Sequence, residues 1–413
     1  MSFIGKKIGE LSLFFRSDKL FLLVTIWLGA YFLCPTRKMH YMLFLVIFLP
    51  AITWLLYSNK INWGSLIKSR VFIVSSLYIL LYAISLTWSN HDDFSGKFRD
   101  FKSVVYLYVF WVVSLYVLKE NYERLEIMFK VFFYVGIFSV FMNALIFYGL
   151  DGNTIYRRFE GIGRLYNALG IAAIYASLAL ISLVYLFNSI GSQSKQKIAG
   201  LVLAYAIFAI ATVLTHSRTP IAGLLLMSLF VVATSSQRIK TKLLILTTLV
   251  AGMAASAYSL RNVFREAIER GESYRLELWY GFIDRARERL MFGHGGGSEV
   301  NINVPGSIVD GSPYYHSAYI GSLVDLGIVG LSLHIAIIAI FAHLCLRFWK
   351  HNIVKAAFVV FMFNCIASIT VTQGIVTRMN LQWLMFWMPV IIVSMYELKE
   401  KGVSLSRRTN IAS

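Results

Sequence analysis

Apolar stretches of roughly bilayer length, each closed by charged or turn-forming residues, recur from Leu20 almost to the C-terminus. A hydrocarbon core of about 30 Å takes roughly 20 apolar residues of helix to cross. On that measure hydropathy marks about twelve spans, near 20–35, 41–58, 71–88, 103–118, 128–149, 168–189, 199–214, 220–235, 243–260, 317–346, 355–376 and 380–396. The pattern predicts an all-α polytopic membrane protein. The exception falls before the tenth span. RNVFREAIERGESYRLELWYGFIDRARERL mixes charged and apolar positions at helical spacing, and MFGHGGGSEVNINVPGSIVDGSPYY is rich in Gly, Ser, Pro and Asn. This helix-plus-loop has too few aliphatics for a core of its own and should pack on the bundle. The expected organisation is residues 1–260 as spans 1–9 with short loops, 261–316 as one large outward segment, and 317–413 as spans 10–12 with a tail.

Composition agrees: 58% of residues are hydrophobic and 15% charged, too apolar for a soluble chain of 413 residues. The net charge of +18 then reflects topology signals and anionic membrane lipid rather than nucleic acid. Cys34, Cys345 and Cys365 fall in or beside apolar runs without paired spacing and read as packing residues. Pro35 and Arg37 follow the first apolar run with no small-residue cleavage site, so no removable signal peptide is expected.

The two basic residues distribute differently. With Met1 inside, fifteen of eighteen lysines lie in inner loops and tails, as the positive-inside rule requires. Fourteen of twenty-one arginines face outward: 37, 99, 157, 158, 164, 218, 261, 265, 270, 275, 285, 287, 289 and 378. A guanidinium forms paired hydrogen bonds to phosphate oxygens that an ammonium cannot, so the outer face reads as built to hold phosphate. Part of it, notably Arg285, Arg287 and Arg289, also fits a solvated basic helix face.

Three stretches could carry chemistry. PYYHSAYIGSLVDLGIVG places His316 and Ser317 at the outer start of a membrane helix. There the helix dipole disfavours imidazolium and would keep a proton-accepting ring, although a lone interfacial histidine more often caps the helix or sits among headgroups. THSRTP, from Thr215 to Pro220, is a tight outer turn in which Ser217 or Thr219 can cap the next helix and Arg218 sits beside outward N–H groups, favouring an anion or a lipid headgroup. In SYRLELW, Arg275 and Trp279 share a helix face, as ordinary amphipathic packing also provides. Asp325 follows His316 by nine residues, about 13 Å along the helix, and is expected inside the membrane with a structural partner. No outward Asp-x-Asp, His-x-x-Glu-His or His-rich cluster suggests a divalent metal.

HSAYIGSLVDLGIVG matches a signature of His, then Asn, Ser or Gln, nine residues, Gly, two residues and Gly, here His316, Ser317, Gly327 and Gly330. With SRTP, Arg275 and Trp279, FGHGGG, and RRFEGIGRLYNALG around Arg158, Gly161 and Asn167, the region from about 150 to 345 resembles the O-antigen ligase and polymerase superfamily. The resemblance implies a bacterial inner-membrane glycosyltransferase with its site on the periplasmic face. Arg218, Arg275 and His316 would be its catalytic residues, Arg158 and Arg164 would join Arg218 and Arg275 in substrate binding, and neither metal nor other cofactor would be used. It further implies an undecaprenyl-diphosphate-linked glycan donor, a lipid A core acceptor and an inverting displacement. A polymerase or protein O-glycosyltransferase of the same superfamily is the nearest alternative. A lipid-linked sugar flippase is the rival from another class, but it would need an ionisable path through the bilayer and often repeated halves.

Overall fold

A computed structural model describes residues 17–402 apart from 60, 91–93, 119–121, 244, 246, 248–250, 253–274, 301, 303–313 and 373. Twelve helices carry the architecture among the described residues: α1 Ser17–Leu33, α2 Arg37–Tyr57, α3 Arg70–Ser85, α4 Phe94–Leu118, α5 Tyr122–Ala144, α6 Ala168–Ser189, α7 Lys195–Leu214, α8 Arg218–Thr234, α9 Arg275–Glu288, α10 Ala318–Arg347, α11 Asn352–Ala367 and α12 Met388–Glu400. The chain is an all-α polytopic membrane protein. α2, α4, α6, α7, α10 and the run Glu123–Leu150 have the length and apolarity to cross a bilayer, and α3, α8 and α11 are shorter apolar helices.

Eleven of the twelve expected spans coincide with helices; most of the ninth, 243–260, lies outside the described residues. Two boundaries differ for clear reasons. α4 begins at Phe94, nine residues before its apolar run, because Lys97, Arg99 and Lys102 lie in its first turns and lower the local hydropathy without breaking the helix. α11 stops at Ala367, where SITVTQG supplies β-branched residues and a glycine, and the chain re-enters a helix through a π-turn, Trp383–Trp387.

α6 is the central post: its side chains are buried along nearly its whole length and it packs on α7, α8 and α11. Polar contacts sort the loops to two ends of the bundle. At one end the Glu397 carboxylate accepts from Ser69 Oγ (2.9 Å), the Arg70 backbone N–H (2.9 Å) and Lys401 Nζ (2.9 Å), capping α3 with α12. Lys355 reaches Asn188, Gln237 reaches the Phe187 carbonyl and Arg124 pairs with Asp18 at that end. Every candidate site residue lies at the other end.

α10 is two helices joined at a kink. Gly327 adopts φ 66°, ψ −163° inside it, conformational space that only glycine enters cheaply. A Cβ at Gly327 would also overlap the Met291 carbonyl group and the Leu290 oxygen. The break frees backbone groups, and residues 290–295 pair with them: Ile328 N–H donates to Leu290 O (2.8 Å), His294 N–H to Val324 O (2.8 Å) and Gly295 N–H to Asp325 O (2.8 Å). Part of the loop between α9 and α10 is thus clamped into the helix it precedes, and Gly327 of the sequence signature makes that possible.

Candidate functional site

The turn from α7 to α8 begins with Thr215, whose Oγ1 donates to the Thr212 carbonyl (2.7 Å). His216 follows at φ 52°, and Ser217, in extended backbone, occupies the N-cap of α8. Ser217 makes no side-chain cap bond; its hydroxyl lies 3.3 Å from the Ala168 carbonyl instead. Thr219 Oγ1 meets Thr370 Oγ1 at 2.7 Å, so neither expected capping residue caps in the usual way.

The start of α10 repeats this turn. His316 is again at φ 52°, and Ser317 is the N-cap, its Oγ accepting from Ile320 N–H at 3.5 Å. Ala318 N–H donates to the Ser368 carbonyl (2.9 Å). Both helix starts are therefore fastened to the single turn 368–370, and their partial positive charges lie at the same end of the bundle.

The arginines assemble around that junction. Arg158 donates from Nε to the Thr215 carbonyl and from a terminal nitrogen to Ser217 Oγ, both at 3.3 Å. Arg218 is the first residue of α8, and Arg275 the first of α9. The Arg275 pKa is pushed down, chiefly by burial and then by repulsion from Arg218 and Arg158. The His316 imidazole is also held below its usual range, by burial first and by the nearby Arg275 guanidinium second. The sequence assigned that direction to the helix dipole; here burial and a neighbouring guanidinium set it.

His316 is positioned through its neighbour. Trp279, one helical turn after Arg275, donates from its indole N–H to the Tyr315 carbonyl (3.0 Å), and the Tyr315 hydroxyl donates to Asp325 Oδ1 (2.7 Å). The Tyr315 ring packs edge-on against Phe282 at 4.8 Å. A non-glycine residue at positive φ persists where its surroundings over-determine it, and Tyr315 is fixed at both its backbone and its hydroxyl. Asp325 thus has the structural partner foreseen for it, whereas the role of Tyr315 had no signal in the sequence beyond its place beside His316.

The structure brings Arg158, Arg218, Arg275 and His316 together. Arg164 sits elsewhere, its Nη1 on the Met379 carbonyl (2.7 Å) and its Nε on His40 Nδ1 (3.3 Å). Arg285 and Arg287 form exposed ion pairs with Glu288 (2.9 Å) and Asp284 (2.7 Å), as a solvated helix face would. Arg261, Arg265 and Arg270 lie outside the described residues. Among the described residues no group of three or more His, Cys, Asp or Glu side chains is placed to hold a metal ion.

His216 was not singled out from the sequence. It is 9% exposed, with neither ring nitrogen in a hydrogen bond of normal geometry. Its pKa is lowered by burial and then by Arg158, while the nearby Ile155 backbone partly opposes the shift. The signal available was repetition: His-Ser occurs twice, each time immediately before a helix.

Two likenesses to known proteins bear on this arrangement. Residues 201–335, which include Arg218, Arg275, His316, Gly327 and Gly330, match the family model described as O-antigen ligase. The chain is also 24% identical over 387 residues to the O-antigen ligase of Pseudomonas aeruginosa, covering 93% of this chain and 92% of that protein.

Proposed function

Because the chain belongs to the O-antigen ligase superfamily, we propose that it is an inner-membrane glycosyltransferase, an O-antigen ligase with its site on the periplasmic face. It moves a glycan from undecaprenyl diphosphate to a sugar hydroxyl of lipid A core. What carries the reading is the convergence of three guanidiniums and a neutral imidazole at two helix starts fastened to one turn.

The chemistry follows from those groups. The acceptor hydroxyl oxygen attacks the donor sugar C1 as His316 takes its proton. The C1–O bond to the diphosphate breaks with its electron pair on the leaving oxygen. Arg218 and Arg275, assisted by Arg158, hold the diphosphate with paired hydrogen bonds that strengthen as charge develops there. One displacement inverts C1 and needs no covalent enzyme intermediate. The Arg158 contacts to Thr215 and Ser217 suit it to bracing the turn that presents Arg218 while still facing the anion.

The test is the lipopolysaccharide of cells lacking the chain. Core without polymer, with long lipid-linked glycan accumulating, is expected; core bearing one repeat unit would instead make the protein a polymerase. In purified form, Arg218→Lys and Arg275→Lys should each lose on the order of 100-fold in transfer rate and wild-type activity should survive EDTA. Full transfer by both lysine variants would overturn the phosphate assignment, and activity lost to EDTA and restored by Mg²⁺ would overturn the metal-free mechanism.

A further inference from the structure

A second guanidinium pair lies at the same end of the bundle. Arg37, the first residue of α2, is exposed and lies over the Tyr166 ring at 4.3 Å. Arg164, partly buried, is close enough to Arg37 to be repelled by it. Among the described residues neither pairs with a carboxylate. The groups that touch Arg164 cannot balance its charge: the Met379 carbonyl is neutral, and His40 Nδ1 can accept because His40 Nε2 lies 3.1 Å from the Trp27 carbonyl and carries the proton. A partly buried guanidinium beside a second, exposed one, with no carboxylate partner among the described residues, carries an electrostatic cost that a bound anion removes.

The surroundings indicate what kind of anion. Leu33, Met39 and Met42, all between 42% and 50% exposed, flank the α1–α2 turn, and Lys38 beside them adds a further exposed positive charge. An apolar flank below a basic rim suits a lipid phosphate, with chains in the bilayer and headgroup at the guanidiniums.

The loop between α5 and α6 ties this pair to the first site. At one end Phe159 N–H donates to the Leu214 carbonyl (2.9 Å) and Arg158 holds the α7–α8 turn. At the other, Gly163 at φ 60° lies against the Cys34 carbonyl so closely that a Cβ there would overlap it. Arg158 and Arg164 are six residues apart, so their Cα atoms are separated by at most about 21 Å.

We propose that Arg37 and Arg164, with Tyr166, form a second site for the phosphate of an anionic lipid, distinct from the diphosphate site at Arg218 and Arg275. Resting on the ligase reading, the occupant is the phosphorylated acceptor glycolipid, held within reach of His316; bulk anionic phospholipid is the other source of the same chemistry.

Binding, not turnover, tests this, so that its failure is separable from failure of the transferase assignment. Purified full-length chain in neutral phosphatidylcholine nanodiscs is titrated with lipid A core and, separately, with undecaprenyl diphosphate. Arg37→Gln, which removes an exposed side chain, and Arg164→Lys, which keeps charge but loses the fork, should each weaken lipid A core binding roughly tenfold. Undecaprenyl diphosphate binding should be unchanged, Arg37→Lys should fall between, and dephosphorylated core should bind wild type as weakly as it binds the variants. If the variants instead lose only a preference for phosphatidylglycerol in mixed nanodiscs, the phosphate site stands and bulk lipid is its occupant. If well-folded Arg37→Gln binds every one of these lipids as wild type does, the site does not exist.

Discussion

Replacing Gly327 with alanine probes whether the break in α10 is what holds the site together. The left-handed, extended conformation at φ 66°, ψ −163° costs an alanine about 1–3 kcal/mol. Its Cβ would collide with the backbone of residues 290 and 291, so the collision can be relieved only by moving that segment. Moving it endangers the Ile328-to-Leu290 and Val329-to-Met291 hydrogen bonds, at 2.8 and 3.3 Å, each worth about 1 kcal/mol. The total, about 3–5 kcal/mol, is a large share of a typical stability of about 5–15 kcal/mol. Thermal unfolding in detergent should register it as a fall of several degrees. Gly200→Ala, on an exposed face of α7 with nothing within 4 Å of the new Cβ, should be neutral or slightly stabilising. Because residues 294 and 295 pair with the carbonyls of 324 and 325, the same shift should disturb Asp325 and, through Tyr315, His316. A displacement of about 1 Å can cost on the order of 100-fold in rate. A Gly327→Ala protein that melts and transfers glycan like wild type would refute the argument.

His316→Asn is the sharper test of the proposed base, because asparagine tolerates the φ of 52° yet cannot take the proton; transfer should fall 10²- to 10⁴-fold while donor binding persists. Burial and Arg275 hold the His316 pKa below 6.5, so the reactive neutral form should dominate at pH 7 and the rate should fall only as pH drops through a pKa below 6.5, with that acid limb missing from any residual activity of the asparagine variant. Tyr315→Phe keeps the ring on Phe282 and deletes the bond to Asp325; kcat should drop with little change in donor KM, and an unchanged kcat would release Tyr315 from any positioning role. For topology, a cysteine at exposed Arg287, in a background without the native cysteines, should be blocked by impermeant reagents from the periplasmic side. Ser298 looks equally suitable in the sequence but is 4% exposed and bonded to Ser89, so labelling there would report burial.

The helices were legible because a bilayer imposes one length and one polarity on every crossing, and only helix ends with charge inside them, such as the start of α4, escaped. Arg218 and His316 stood out because each lies at a helix start whose punctuation is local, whereas Arg275 was singled out only through the resemblance. Arg164 had the same outward address as Arg158, and only the fold shows that one joins the α7–α8 turn while the other reaches His40 and Met379. Tyr315 as the partner of Asp325, and the pairing of residues 290–295 with α10, were hidden because they depend on a conformation that hydropathy cannot register. A glycine in an apolar run looks like ordinary small-residue packing until its dihedrals are known.

The break at Gly327 also acts as a depth gauge. Residues 328–347 are alone enough for about 30 Å of helix, one full thickness of hydrocarbon. With 328–347 as the crossing on the proposed reading, residues 318–326 stand as a plinth of about 13 Å above it with His316 at its top. On the proposed reading the polyprenyl tail stays dissolved in lipid while the scissile bond is offered at headgroup level or above. A long hydrophilic polymer and a branched core oligosaccharide could then meet without either entering the bilayer, which accounts for thirty residues of helix where twenty would cross.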